Sequence, residues 1–161
     1  MVRSSVESRR RGPRARVACM PHDLVLKSMN TIHRTLLTVS GGRVGWSAGK
    51  MPVLELTTTG RKSGRPRTVM LTSPHVDGDA MALVASRGGD DHHPAWFLNL
   101  RDNPTVSVKT ESGTRAMTAR IADADERAEL WPTIAANYKN YAGYQSKTDR
   151  EIPVVLLEPA E

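Results

Sequence analysis

The sequence predicts an α+β, mainly β domain: a small antiparallel barrel of about six strands, with helices at its ends and in one insertion. Three observations lead there. Apolar, β-prone segments come in pairs separated by short glycine-containing turns, as in hairpins. Helical periodicity is confined to the beginning, one short insertion and a stretch near the C-terminus. No strand–helix–strand rhythm occurs, and the dinucleotide fingerprint GxGxxG is absent, so a doubly wound sheet is excluded.

The elements follow in chain order. Val25, Met29, Ile32, Leu36 and Val39 recur at helical spacing opposite Lys27, Thr31, Arg34 and Thr38, which predicts an amphipathic helix over residues 23–39. Gly41-Gly42 ends it. Residues 53–58 and 67–73 have strand composition, and residues 60–66 form the loop between them. Asp77-Gly78-Asp79 is a turn into the nearly unbroken apolar strand 80–85. Pro94 suits the first turn of a short helix over 94–100, which stops before Asn103-Pro104. Residues 105–109 and 114–121 make the next hairpin around Ser112-Gly113. Asp123, Asp125 and Glu126 favour a helix start, and that helix runs towards Tyr138, with Pro132 expected to bend or restart it. Residues 152–157 close the chain as a strand.

The 161 residues suit one domain, expected over residues 20–161 after a leader at residues 1–19. The net charge is +6, but six arginines against Glu7 place most of it in that Arg/Ser/Gly/Pro leader. The remainder is nearly neutral, so no nucleic-acid partner is expected from the overall charge. The leader has too little apolar surface to pack, reads as disordered, and lacks the apolar core of a secretory signal. Cys19 is a lone cysteine and points to a reducing compartment. No apolar run reaches the roughly 20 residues of a membrane span. The expected location is the cytoplasm, with peripheral contact at the inner face of the membrane through the leader and first helix as an open alternative.

Three clusters carry candidate chemistry. In Gly60-Arg61-Lys62-Ser63-Gly64-Arg65-Pro66-Arg67, four cations sit among glycines that expose main-chain N–H groups. Arg61, Lys62, Arg65 and Arg67 are suited to phosphate or carboxylates, whereas a Walker A loop is not matched. A solvated hairpin tip is the competing explanation. The second cluster, Ala85-Ser86-Arg87-Gly88-Gly89-Asp90-Asp91-His92-His93-Pro94-Ala95-Trp96, runs from a strand end through a glycine loop into a helix start, where a planar anionic ligand can approach the backbone. His92 and His93 are adjacent, point apart, and have no evident third ligand, so no metal is expected. The third cluster holds all three tyrosines, Tyr138, Tyr141 and Tyr144, at helical spacing. Such rings wall a pocket for a flat substrate or pack a core. No nucleophilic triad or carboxylate pair stands out, which suits chemistry carried by a cofactor.

Together these segments resemble the deazaflavin-dependent nitroreductases of actinobacteria, also called F420-dependent quinone reductases. The resemblance rests on Leu56-Thr57-Thr58-Thr59-Gly60-Arg61-Lys62-Ser63-Gly64-Arg65-Pro66-Arg67, Ala85-Ser86-Arg87-Gly88-Gly89 and His93-Pro94-Ala95-Trp96-Phe97-Leu98-Asn99-Leu100. Tyr144-Gln145-Ser146-Lys147-Thr148-Asp149-Arg150 and Ile152-Pro153-Val154-Val155 complete it, so that it spans residues 24–159. It implies a split β-barrel, similar to flavin-binding split barrels, that binds coenzyme F420, a deazaflavin with a phosphate and a glutamate tail.

By the family pattern, Lys62 and Arg67 hold the phosphate region, with Arg61 and Arg65 near the acidic tail. Ala85, Ser86, Arg87 and Trp96 lie along the ring and its linker. Tyr138, Tyr141 and Tyr144 border ring and substrate, with Tyr141 also counted as a cofactor contact. The implied activity is hydride transfer from the reduced deazaflavin to a quinone-like, enone or nitroaromatic electrophile, a menaquinone-like quinone among them. Ser86, the tyrosine hydroxyls and water are all candidates for the proton. Arg87 replaces a usual lysine, Phe97 a usual tyrosine, and His75 stands where an aromatic often faces the pocket. The alternative is a non-catalytic deazaflavin or lipid carrier, and either a monomer or a homodimer is compatible with the resemblance.

Overall fold

The computed structural model describes residues 46–48 and 50–160. The basic leader, the helix expected over residues 23–39 and Gly41-Gly42 lie outside the described residues. Strands β1 (Ser47–Ala48), β2 (Met51–Thr59), β3 (Pro66–Thr72), β4 (His75–Asp77) and β5 (Ala80–Val84) come first. A single 3-10 turn, Arg87–Gly89, leads to α1 (Ala95–Asp102). Strands β6 (Thr105–Thr110) and β7 (Gly113–Ile121), helices α2 (Ala124–Asn137) and α3 (Lys139–Gln145), and strand β8 (Val154–Pro159) follow.

Every strand pairing is antiparallel, and the curled sheet runs β1-β2-β6-β7-β8-β5-β4, with β3 on β2. This is the split-barrel class that the sequence predicts. Six strands have five or more residues, and the short β1 and β4 extend the sheet at its margins. Strands β1–β2, β2–β3, β4–β5 and β6–β7 pair as hairpins, β6 also pairs with β2, and β8 inserts between β7 and β5.

Two apolar layers explain the strand patterns. Leu54 and Leu56 of β2, Met81 and Leu83 of β5, Val106 and Val108 of β6, Met117 of β7, and Val155 and Leu157 of β8 fill the inside of the curl. Trp96, Phe97 and Leu100 plug it from α1. On the opposite face, Ala82 and Val84 of β5 and Val154 and Leu156 of β8 meet Ile134, Trp131, Tyr138, Tyr141 and Tyr144 from α2, α3 and the junction between them. Because β5 and β8 are covered on both faces, their sequences read as unbroken apolar runs rather than alternating ones.

Asp123 starts α2 with a reciprocal capping box: its side chain accepts from the Glu126 N–H, and the Glu126 carboxylate accepts from the Asp123 N–H. The helix continues through Pro132 and ends instead at Tyr138, whose φ of −136° and ψ of 87° separate α2 from α3. The break thus falls six residues later than the proline leads one to expect.

Candidate functional site

The basic hairpin tip is folded tightly on itself. The Gly60 N–H donates to the Arg65 carbonyl at 2.9 Å, and the Gly64 N–H to the Gly60 carbonyl at 2.7 Å. A Cβ on Gly60 would lie 2.9 Å from Ser63 Oγ and 3.0 Å from the Arg65 carbonyl oxygen, so only glycine fits there. Gly64 takes φ +65°, a conformation glycine adopts without a steric penalty. Arg61, Lys62, Arg65 and Arg67 are all exposed, and no carboxylate among the described residues pairs with them.

What fixes this tip in space is Asn99, on α1. Its Oδ1 accepts from the Arg61 main-chain N–H at 3.2 Å, and its Nδ2 donates to Thr58 Oγ1 at 3.1 Å. The Thr58 hydroxyl in turn donates to the Arg67 carbonyl at 3.3 Å. Asn99 and Thr58 are buried, where an unmade hydrogen bond is costly, so the chain of bonds registers the tip against the helix.

The second loop leaves β5 and enters α1. Ser86 is right-handed helical, with φ −72° and ψ −38°, and Arg87, Gly88 and Gly89 then take φ values of 48°, 71° and 85°. A Cβ on Gly89 would fall 2.7 Å from the Tyr144 carbonyl oxygen. Arg150 threads into this loop and donates to the carbonyls of Asp90, Ala85 and Ser86 at 2.8, 3.1 and 2.9 Å. Thr148 Oγ1 donates to Asp91 Oδ1 at 2.8 Å, and Asp90 accepts from the His92 N–H at 2.7 Å. The two loops therefore converge on α1: one feeds its N-terminus, the other is tied to Asn99 one turn further on. The eight-residue helix, about 12 Å long, sets their spacing.

The tyrosines form one edge-to-face stack, with ring centroids 6.4 Å apart for Tyr138–Tyr141 and 6.0 Å for Tyr141–Tyr144. Tyr141, in the middle, is buried; its hydroxyl lies 3.4 Å from Thr72 Oγ1 on β3 and 3.9 Å from Met51 Sδ. Tyr138 and Tyr144 are half-buried, and Lys147 Nζ stands over the Tyr144 ring at 5.6 Å.

Local electrostatics follow from burial. Desolvation pushes the Tyr141 phenol upward, keeping it protonated at neutral pH, against the opposing hydrogen bond to Thr72. Burial lowers the His93 imidazole, helped by the Arg150 and Arg101 charges. His93 stacks on Phe97 at 4.8 Å and presents Nδ1 to Arg150 at 3.4 Å, whereas His92 projects outward beside Asp90. Among the described residues, no group of three His, Cys, Asp or Glu could hold a metal ion.

Of the residues singled out from sequence, the four cations share one tip, and Ser86 and Arg87 share the second loop. Ala85 and Trp96 are both buried in the inner core. Two organising residues, Asn99 and Arg150, carry no role in the sequence reading. Both stand inside segments that carry the family resemblance, Asn99 among apolar neighbours and Arg150 just ahead of a buried strand, but neither spacing nor composition says what they hold.

The fold defines a class, the split β-barrel, here with an exposed basic tip and a left-handed glycine loop tied to one helix, a setting chemically suited to an anionic, planar cofactor. The chain belongs to the F420H(2)-dependent quinone reductase family, whose model matches residues 29–159. An F420H(2)-dependent quinone reductase of Mycobacterium tuberculosis (strain H37Rv) is 40% identical over 130 residues, covering 78% of this chain and 87% of the relative. A solved F420-H2 dependent reductase, FDR-A, is 44% identical with a TM-score of 0.60, over 66% of this chain and 94% of its own. A solved domain-swapped dimer is 38% identical with a TM-score of 0.63, over 86% of this chain and 100% of its own.

Proposed function

We propose that this F420-dependent oxidoreductase reduces a quinone, and that the basic tip and the Ser86–Gly89 loop hold the two ends of the cofactor. The observation that carries the reading is the tip itself: four exposed cations with no carboxylate among the described residues to neutralise them, held rigid by Gly60 and Asn99. Coenzyme F420 has the complementary chemistry, a phosphate and carboxylates. Lys62 and Arg67 are assigned to the phosphate, Arg61 and Arg65 to the acidic tail, and Ser86 and Arg87 to the linker and ring. When bound, the reduced deazaflavin supplies a hydride.

The protein's task is then orientation and exclusion of water. Tyr138 and Tyr144 keep partly open rings and are assigned to the substrate side. Tyr141 braces them from below, its hydroxyl engaged at Thr72. A quinone accepts the hydride at one end and needs one proton to become the hydroquinone. Ser86, a tyrosine hydroxyl or water supplies it. No helix among the described residues is long and apolar enough to cross a membrane, and the reading places the protein in the cytoplasm. Homodimerisation is proposed by analogy with the domain-swapped relative.

The test is titration of the protein with F420, followed by turnover of the reduced cofactor with a menaquinone analogue. Each charge-assisted hydrogen bond to the cofactor contributes on the order of 1.5–3 kcal/mol, so Lys62→Ala and Arg67→Ala should each weaken binding roughly ten- to hundredfold. Because both side chains are exposed and pair with no carboxylate among the described residues, the unfolding midpoint should stay near that of the wild type. Absence of F420 binding would sink the reading, and tight binding without turnover would favour a carrier.

A further inference from the structure

We propose that Arg150 is a positioning residue for cofactor binding, acting by aiming the Ser86–Gly89 loop rather than by touching the cofactor. The inference rests on the assignment of that loop to the cofactor. Its observation is where the guanidinium spends its donors. Arg150 makes no ion pair with a carboxylate among the described residues; Nε and Nη2 go instead to the main-chain carbonyls of Asp90, Ala85 and Ser86, and Nη1 faces His93 Nδ1. A planar fork of five N–H donors can span three carbonyls at fixed angles, which a lysine ammonium cannot.

Holding those carbonyls determines what the opposite side of the loop presents. In a planar trans peptide, C=O and the following N–H point in opposite directions. Fixing the carbonyls of Ala85 and Ser86 therefore directs the N–H groups of Ser86 and Arg87 away from Arg150. The backbone there passes from right-handed Ser86 to left-handed Arg87, a succession that turns neighbouring N–H groups towards a common anion-binding concavity. Arg87 is the one non-glycine with positive φ among the described residues, and such a conformation persists only where its surroundings impose it.

Arg150 is itself braced back to the same loop. Its carbonyl accepts from Gln145 Nε2 at 2.9 Å, and its N–H donates to Thr148 Oγ1 at 3.3 Å. The Thr148 hydroxyl closes the circuit on Asp91. The segment that carries Tyr144 and the loop that carries Ser86 thus form one unit, with Gly89 in contact with Tyr144.

The experiment compares Arg150→Ala and Arg150→Lys with Arg120→Ala, a substitution that breaks a surface network with Glu126 and Glu158 on another part of the sheet. F420 affinity, the separate KM values for reduced cofactor and quinone, and unfolding midpoints are measured for each. R150A is expected to raise the cofactor Kd and KM at least about tenfold while the quinone KM stays within about twofold, with R150K recovering only part of the loss. Added guanidinium ion at non-denaturing concentration should restore part of the affinity of R150A, a response that general loosening cannot give. Wild-type affinity in R150K, no guanidinium rescue, or an equal affinity loss in R120A at a matched midpoint would overturn the proposal. Failure of the wild type to bind F420 would instead remove the reading beneath it.

Discussion

At the scale of single residues, the site depends on side chains whose importance lies in what they connect. Asn99 bridges the Arg61 N–H and the Thr58 hydroxyl, segments 38 and 41 residues away in sequence. Asn99→Leu should remove the partner of the Arg61 N–H and leave the buried Thr58 hydroxyl with only its bond to Arg67, destabilise the fold by about 1–3 kcal/mol, and loosen the tip, seen as a lower denaturation midpoint together with weaker F420 binding. The four cations were legible in the sequence because a local charge cluster with few local acids is visible without a fold. Asn99 and Arg150 were not, since their partners meet only when distant segments are brought together. Trp96, which the family pattern sets beside the cofactor, is also part of the inner core.

His93 is the residue where pH enters. Its folded value lies below its ordinary one through burial and the neighbouring Arg150 and Arg101 charges. The unfolded chain therefore binds the extra proton more readily, so stability is complete above the ordinary value of about 6.5 and drains as pH falls below it. Scanning calorimetry from pH 7.5 to about 5 should show a steeper loss for wild type than for His93→Gln, which keeps an acceptor for Arg150 without titrating. Equal slopes would remove His93 from the account.

At the scale of elements, local rules held wherever one segment decides the outcome. Asp123 and Glu126 form the capping box that their spacing announces, and Asp123→Ala should cost about 1 kcal/mol in chemical denaturation. The helix does not restart at Pro132; α2 passes through it and ends at Tyr138 instead. That break places Tyr138 at a helix junction yet still lets the three rings stack, a result of packing on β5 and β8 rather than of spacing alone. The glycine loop gives the sharpest element-scale prediction. Gly89→Ala combines φ +85° with a Cβ 2.7 Å from a backbone oxygen, so it should destabilise by more than about 1 kcal/mol and disturb Tyr144. The near-ultraviolet circular dichroism of the tyrosines should report that shift.

At the scale of the molecule, the pairing of strands in hairpins was legible, while the place of the last strand was not. The register of β8 with both β7 and β5 is set by burial on two faces. Leu157 is fully buried in the inner core, and Leu157→Ala should cost about 2–5 kcal/mol, a large share of the roughly 5–15 kcal/mol that holds a domain together. Because β8 is the last described strand yet fills an interior place in the sheet, synthesis order matters. While residues 148–159 are still inside the ribosome, the gap between β7 and β5 is open and Arg150 has not reached its loop. A nascent chain therefore lacks the Arg150 brace on the Ser86–Gly89 loop until those residues emerge, and that loop takes its final shape only when the sheet closes.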